Sequence, residues 1–191
     1  MAKNYVSDQE FKNENFTIDF LTNGEYDNCH FLNCNFASGD LSEIVFVDCS
    51  FENCDLSNAK LRNTSFQNAE FEECKLLGLR FEESNPFLFA IKCNTSVLNF
   101  SSFYKMSLKN TALSNCQLQD VDFTEADCSL CSFEGSDCLA ANFFQTNLQG
   151  ADFRSAINFS IDPTQNRVKK AKFSRNNLHG LLHSFSLVIE S

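Results

Sequence analysis

The chain has 191 residues, one domain's worth, and its 43% hydrophobic content is enough to build a core. It carries 22 Phe and 10 Cys beside no Trp, two Pro and six Gly, and its net charge of −10 argues against holding nucleic acid or an anionic membrane through bulk charge. No apolar run approaches the roughly 18 residues of a membrane-spanning helix, and Met1 to Glu10 has neither a basic nor an apolar leader segment; the expectation is a soluble, cytoplasmic chain with no membrane and no direct nucleic-acid partner.

Residues 1–8 read as a lead-in. From Phe11 every fifth residue is large and apolar (Phe11, Phe16, Leu21, Tyr26, Phe31 and so on to Phe81). After a two-residue slip the series resumes at Leu88 and continues through Cys93, Leu98 and Phe103 to Phe153, making 29 units. The position two before each centre is mostly small, as in Cys29, Cys34, Ala59, Thr64, Ser101 and Ala151, and should also point inward. A period of five fits neither a 3.6-residue helix nor a two-residue strand alternation, and predicts a solenoid with a turn in each unit. The position two after the centre agrees, because Asn13, Asn23, Asn28, Asn33, Gly78 and Gly150 tolerate the positive φ of tight turns. Phe11, Phe31, Phe51 and Phe71 add a second period of twenty, so four units make one coil. About seven coils at roughly 4.8 Å each would give a rod on the order of 34 Å long.

All ten cysteines fall on inward positions: Cys29, Cys34, Cys49, Cys54, Cys74, Cys116 and Cys131 on the small one, Cys93, Cys128 and Cys138 on the central one. That placement assigns them to packing as small hydrophobes, against the alternative of metal or redox chemistry. Cys34, Cys54 and Cys74 should stack directly, near a disulfide-compatible Cα separation.

The frame slips within Glu82 to Phe89, where Pro86 cannot donate a ladder hydrogen bond, so a kink or bulge is expected at Pro86, Phe87 and Phe89. It reads either as a partner-contacting projection built on Phe87 and Phe89 or as a register reset. The repeat thus spans residues 9–158, interrupted at 82–89. Beyond Asn158 the rhythm fails and five basic residues face two acids, a local charge of +3. In this 159–191 module Ser174 can cap a short helix with Leu178, Leu181, Leu182 and Phe185 on one face; Phe185, Leu187 and Ile189 alternate as in a strand. The module is either a monomeric cap or a dimer interface formed by those six apolar residues. His179 and His183 have metal-like spacing, but no carboxylate or thiol is near in sequence, and capping or interface roles suit them better.

Function must come from the outward positions. These hold no Gly-rich phosphate loop and no Ser, His and Asp set, so neither catalytic residues, nor a metal, nor a cofactor is expected. They do hold acid. Glu10, Glu52, Glu70, Glu72, Glu73, Glu134 and Asp152 should share one face, Glu82 and Glu83 should edge the next, and Asp122 and Glu125 should lie further along it. A solvated charged surface needs no function; carboxylates repeating on a stiff rod can also stand in for phosphates in a basic channel.

Units such as Ala59-Lys60-Leu61-Arg62-Asn63, Ala69-Glu70-Phe71 and Ala151-Asp152-Phe153-Arg154-Ser155 resemble the A(D/N)LXX unit of pentapeptide-repeat proteins. The resemblance implies an all-β fold, a right-handed quadrilateral β-helix with a short C-terminal helix. Ile161-Asp162-Pro163, Lys170-Ala171-Lys172-Phe173-Ser174 and Gly180-Leu181-Leu182 look like the C-terminal module of the Qnr-like and McbG-like, topoisomerase-protecting branch. That resemblance implies a homodimer joined tail to tail, roughly 70 Å long, about 20 base pairs of DNA. It further implies a partner in gyrase or topoisomerase IV, bound by DNA mimicry, with protection from quinolones or gyrase-poisoning peptides. The Qnr proteins carry two projecting loops needed for active rescue, whereas the interruption here is two residues, which leaves loop-dependent rescue in doubt. The alternative expectation is an adaptor for an unrelated basic or apolar protein; an enzyme using Cys or His is the third.

Overall fold

The computed structural model describes residues 4–185 and Leu187, and these form a right-handed parallel β-solenoid. Strands β1 (Asn4–Ser7), β3 (Gly24–Asp27), β5 (Val45–Val47) and β7 (Ser65–Gln67) stack as one parallel sheet. The second sheet runs β2 (Glu10–Lys12), β4 (His30–Leu32), β6 (Ser50–Glu52), β8 (Ala69–Glu72), β9 (Ile91–Asn94) and β10 (Leu113–Ser114). Isolated parallel bridges build the other two sides, for example Asn15 to Asn35 to Asp55 to Lys75 and Ser102 to Asp122 to Asn142. Among the described residues no helix is long and apolar enough to cross a membrane.

Two packing rules produce this shape. Central side chains meet their own kind one coil away: the Phe11, Phe31, Phe51 and Phe71 rings stack at 4.8, 4.8 and 4.9 Å, and Phe81, Phe103, Phe123 and Phe143 at 4.5, 5.5 and 5.1 Å. At most corners the residue two after the centre adopts positive φ, as at Asn13, Asn28, Asn33 and Gly78, where the chain turns. Asn23, one of the residues expected there, does not. The ten cysteines are all free and all buried. Cys49, Cys54, Cys74 and Cys131 donate Sγ–H to carbonyls one coil back, and Thr64, Ser136 and Thr146 do the same with hydroxyls.

The register is twenty residues up to Lys75, which pairs Asp55, and twenty-two across the interruption, where Glu70 pairs Lys92 and Arg80 pairs Ser102. The two extra residues are accommodated after a 3-10 turn at Phe81–Glu83. Leu88 does not resume the central series: it is 60% exposed at φ 55°, a corner residue. Phe89 takes the inward place instead, packing against the core with its ring 6.1 Å from Phe81 and 6.4 Å from Phe66. A projection built on both Phe87 and Phe89 is therefore incorrect; Phe87 projects, with Leu88 beside it.

The stacking runs past Asn158. Arg167 pairs Asn147, Lys172 pairs Asp152, and the Phe173 ring stacks on Phe153 at 5.5 Å. The closing helices are 3-10, at Arg175–Leu181 and His183–Phe185, not α-helical. With three residues per turn, the 3.6-residue face that would unite Leu178, Leu181, Leu182 and Phe185 does not form. Asn177 and Gly180 face the core, Leu181 packs partly against it, Leu182 is half-buried, and Leu178, Phe185 and Leu187 are exposed. Phe185 closes a 3-10 helix and Leu187 belongs to no strand; Ile189 lies outside the described residues.

Candidate functional site

The face formed by β2, β4, β6, β8 and β9 carries two outward columns. One contains Glu10, His30, Ser50, Glu70 and Lys92 in register, and continues through Ser132 and Asp152 to Lys172; the other contains Lys12, Leu32, Glu52, Glu72 and Asn94. Glu73 turns the corner beside Glu72 at φ 52°, and Glu134 sits one step after Phe133 on the same side. The structure thus brings Glu10, Glu52, Glu70, Glu72, Glu73, Glu134 and Asp152 to one face.

That face is not uniformly acidic. Lys92 Nζ lies 2.6 Å from Glu70, and His30 sits between Glu10 and Glu52, at 3.9 and 3.4 Å. Asn94 Nδ2 donates to both carboxylate oxygens of Glu72, at 2.8 and 2.9 Å. Asp152 is met by Arg154 at 2.7 Å and by Lys172 at 3.6 Å. The Arg154 hydrogen bond holds the Asp152 carboxyl down to about 2. Glu52, Glu70, Glu72, His30, Lys92 and Asn94 line a shallow cleft of about 340 Å³ at the middle of the face.

Other predicted acids turn out to be structural. Asp122 and Asp152 accept the backbone N–H two residues on, from Thr124 at 2.9 Å and Arg154 at 3.2 Å, as Asp55, Asp127 and Asp137 do in their own units. Glu82 and Glu83 are both held by Arg80, at 3.2 and 3.0 Å, and lie on the side that carries Asp122. Sequence reasoning missed a second acidic column: Asp8, Asn28, Asp48 and Asn68 alternate at twenty-residue spacing, with Asn28 donating to Asp8 at 2.8 Å and Asn68 to Asp48 at 2.7 Å. The coil period is the signal that finds it. Phe87, at 68% exposure, and Leu88 form an apolar knob at the bulge.

Among the described residues no group of three or more His, Cys, Asp or Glu is placed to hold a metal ion. The His179 and His183 rings lie 6.0 Å apart. Burial pushes the thiols of Cys34, Cys49 and Cys116 up to about 11, 12 and 11, chiefly through desolvation, so they stay un-ionised and unreactive near neutrality.

The family described as Pentapeptide repeat region matches residues 24–87, and that described as Pentapeptide repeats (8 copies) matches residues 101–137 and 124–157. No curated protein sequence matches the chain. Among solved structures, a trypsin-treated form of QnrB1, a plasmid-mediated fluoroquinolone resistance protein, is similar at TM-score 0.77 and 17% identity, over 98% of this chain and 92% of that one. Full-length QnrB1 is 19% identical over 96% of this chain and 100% of that one, at TM-score 0.49. HetL, a pentapeptide-repeat protein involved in heterocyst differentiation regulation from Nostoc sp. strain PCC 7120, is 18% identical over 87% and 86%, at TM-score 0.38.

Proposed function

The chain belongs to the pentapeptide-repeat family, and on that premise we propose that it is a non-enzymatic DNA mimic that binds a type II topoisomerase, gyrase or topoisomerase IV. The observation that carries the reading is the group Glu52, Glu70, Glu72 and Glu73, presented at coil spacing on a stiff sheet of a protein with net charge −10. Carboxylates fixed on a rigid face meet a DNA-binding channel without ordering cost, and their attraction to it falls with salt. Similarity to the QnrB1 fold along nearly the whole chain supports the same class of partner. Binding there would limit DNA access and protect the enzyme from quinolones or poisoning peptides, an antibiotic-resistance role. The exposed Leu178, Phe185 and Leu187 support a homodimer through the C-terminal module.

The test is a gyrase supercoiling assay with and without ciprofloxacin. The wild-type chain at tens of micromolar should inhibit supercoiling or restore it in the presence of drug, and Glu70→Lys, Glu72→Lys and Glu73→Lys combined should abolish the effect while the circular dichroism is unchanged. No effect of the wild type in either assay rejects the proposal. A second reading, an adaptor for an unrelated protein, is favoured by the Phe87 and Leu88 knob; Phe87→Ala with Leu88→Asn would then abolish partner capture and leave any gyrase effect intact.

A further inference from the structure

The two ends of the solenoid are finished differently. At the C-terminal end a 3-10 helix lies across the last coil: Asn177 Nδ2 donates to the carbonyls of Phe153 and Ala156, at 2.7 and 3.1 Å, and the Ile161 N–H donates to Gly180 at 2.9 Å. At the N-terminal end β1 and β2 are the outermost strands, each paired on one side only among the described residues. Along the rod, the residue before each central position donates its N–H to the coil before it: His30 to Gln9, Ser50 to Cys29, Asn35 to Glu14. The equivalent N–H groups of Glu10 and Asn15 meet no such coil among the described residues. Beside them opens a cleft of about 520 Å³, lined by Tyr5, Phe11, Phe16, Phe20, Leu21 and Tyr26. Phe20 is 70% exposed there. Among its described residues the first coil also carries Asp8, Glu10, Glu14 and Asp19 against Lys12, all exposed.

We infer that this end is a docking edge for an extended cationic strand of a partner protein, added in parallel beneath β2 with an apolar side chain on Phe11 and a Lys or Arg beside Glu10. An open strand edge supplies the hydrogen bonds, and the side-chain columns supply selectivity. Both columns are already written in the molecule. The Phe11 and Phe31 rings are 4.8 Å apart and 7° from parallel, so one more ring continues the stack. In the column of Glu10, Glu70 meets Lys92 and Asp152 meets Lys172 one coil on. Lys172-Phe173-Ser174 at the far end of the rod is the same basic, aromatic, polar pattern that the edge would accept. Among the described residues of the first coil four acids stand against one lysine, which disfavours a second copy of the same end in that place and favours a basic occupant.

The test titrates the isotope-labelled full chain with a ten-residue peptide built around Lys-Phe-Ser and follows amide exchange by NMR. At saturation the Glu10 amide should gain at least tenfold in protection. Affinity should fall at least tenfold when Glu replaces the peptide's Lys, and equally for Glu10→Lys in the protein. Glu10→Pro, tolerated on an outer strand because no described residue accepts its N–H, should remove binding while the dichroism is retained. The inference is overturned if the Glu10 amide stays unprotected at millimolar peptide, or if the Glu-substituted peptide binds equally. It is also overturned if that amide is protected in the free chain and Phe20→Glu lowers its mass in solution, which would place a second copy on the edge.

Discussion

A thiol at the small inward position takes the bond that a hydroxyl takes elsewhere in the rod. Cys131 Sγ donates to Leu108 at 2.7 Å where Ser136 and Thr146 donate to Leu113 and Phe123 at 2.8 Å. Cys131→Ser should therefore cost less than about 1.5 kcal/mol, whereas Cys93→Ser, at a central position where no carbonyl accepts among the described residues, should cost about 1–3 kcal/mol. Urea unfolding of the two variants separates these outcomes. The same burial makes the fold alkali-sensitive. For Cys49 the folded value near 12 lies above the unfolded thiol value of about 8.5, so its contribution is complete below pH 8.5 and is lost as pH rises toward 12. Cys49→Ala should lose less stability between pH 7 and pH 10 than wild type does, measured by denaturant midpoints. Composition and spacing made the inward residues legible, because packing leaves little choice of side chain there. The acids were less so: sequence displays the charge of Asp122 and Asp152, but whether a carboxylate serves its own turn or faces solvent depends on a hydrogen bond formed only after folding.

At the scale of elements, the C-terminal closure shows what a single polar residue can do. Asn177 accepts from the Ser174 N–H at 3.0 Å and donates to two carbonyls of the preceding coil, tying helix start and coil end together. Asn177→Ala leaves those buried carbonyls unmet and should cost about 1–3 kcal/mol, with exchange protection lost first around Phe153 to Ala156. A Cβ at Gly180 would collide with the Phe159 ring, which explains a glycine inside a helical segment. The repeating units were readable because each residue's role recurs many times, so one wrong residue hardly moves the frame. The bulge and the closing helices occur once. Nothing in the spacing could decide whether Leu88 or Phe89 turned inward, and the choice fell to Phe89 because its ring fills the space between Phe66 and Phe81.

At the scale of the whole molecule, the twenty-residue period placed the acidic columns, but the cations that interrupt them needed the true register across the interruption. Lys92 reaches Glu70 only because that coil holds twenty-two residues. Every ladder contact joins one coil to the next, so deleting residues 33–52 should bring Phe31 and Leu32 onto Asn53 in the frame that Leu32 and Asn33 now occupy. That shortened chain should fold with its spectrum intact and its denaturation midpoint lowered, while deleting residues 35–52 should lower the midpoint much further, because eighteen breaks the five-residue frame inside uninterrupted coils that lack a bulge like the one that absorbs two extra residues before Lys92. Height in such a molecule is a separable trait. A gene that gains or loses twenty codons in frame adds or removes one storey without disturbing the walls above and below, and the reach of the protein can drift in lineage after lineage while its cross-section stays constant.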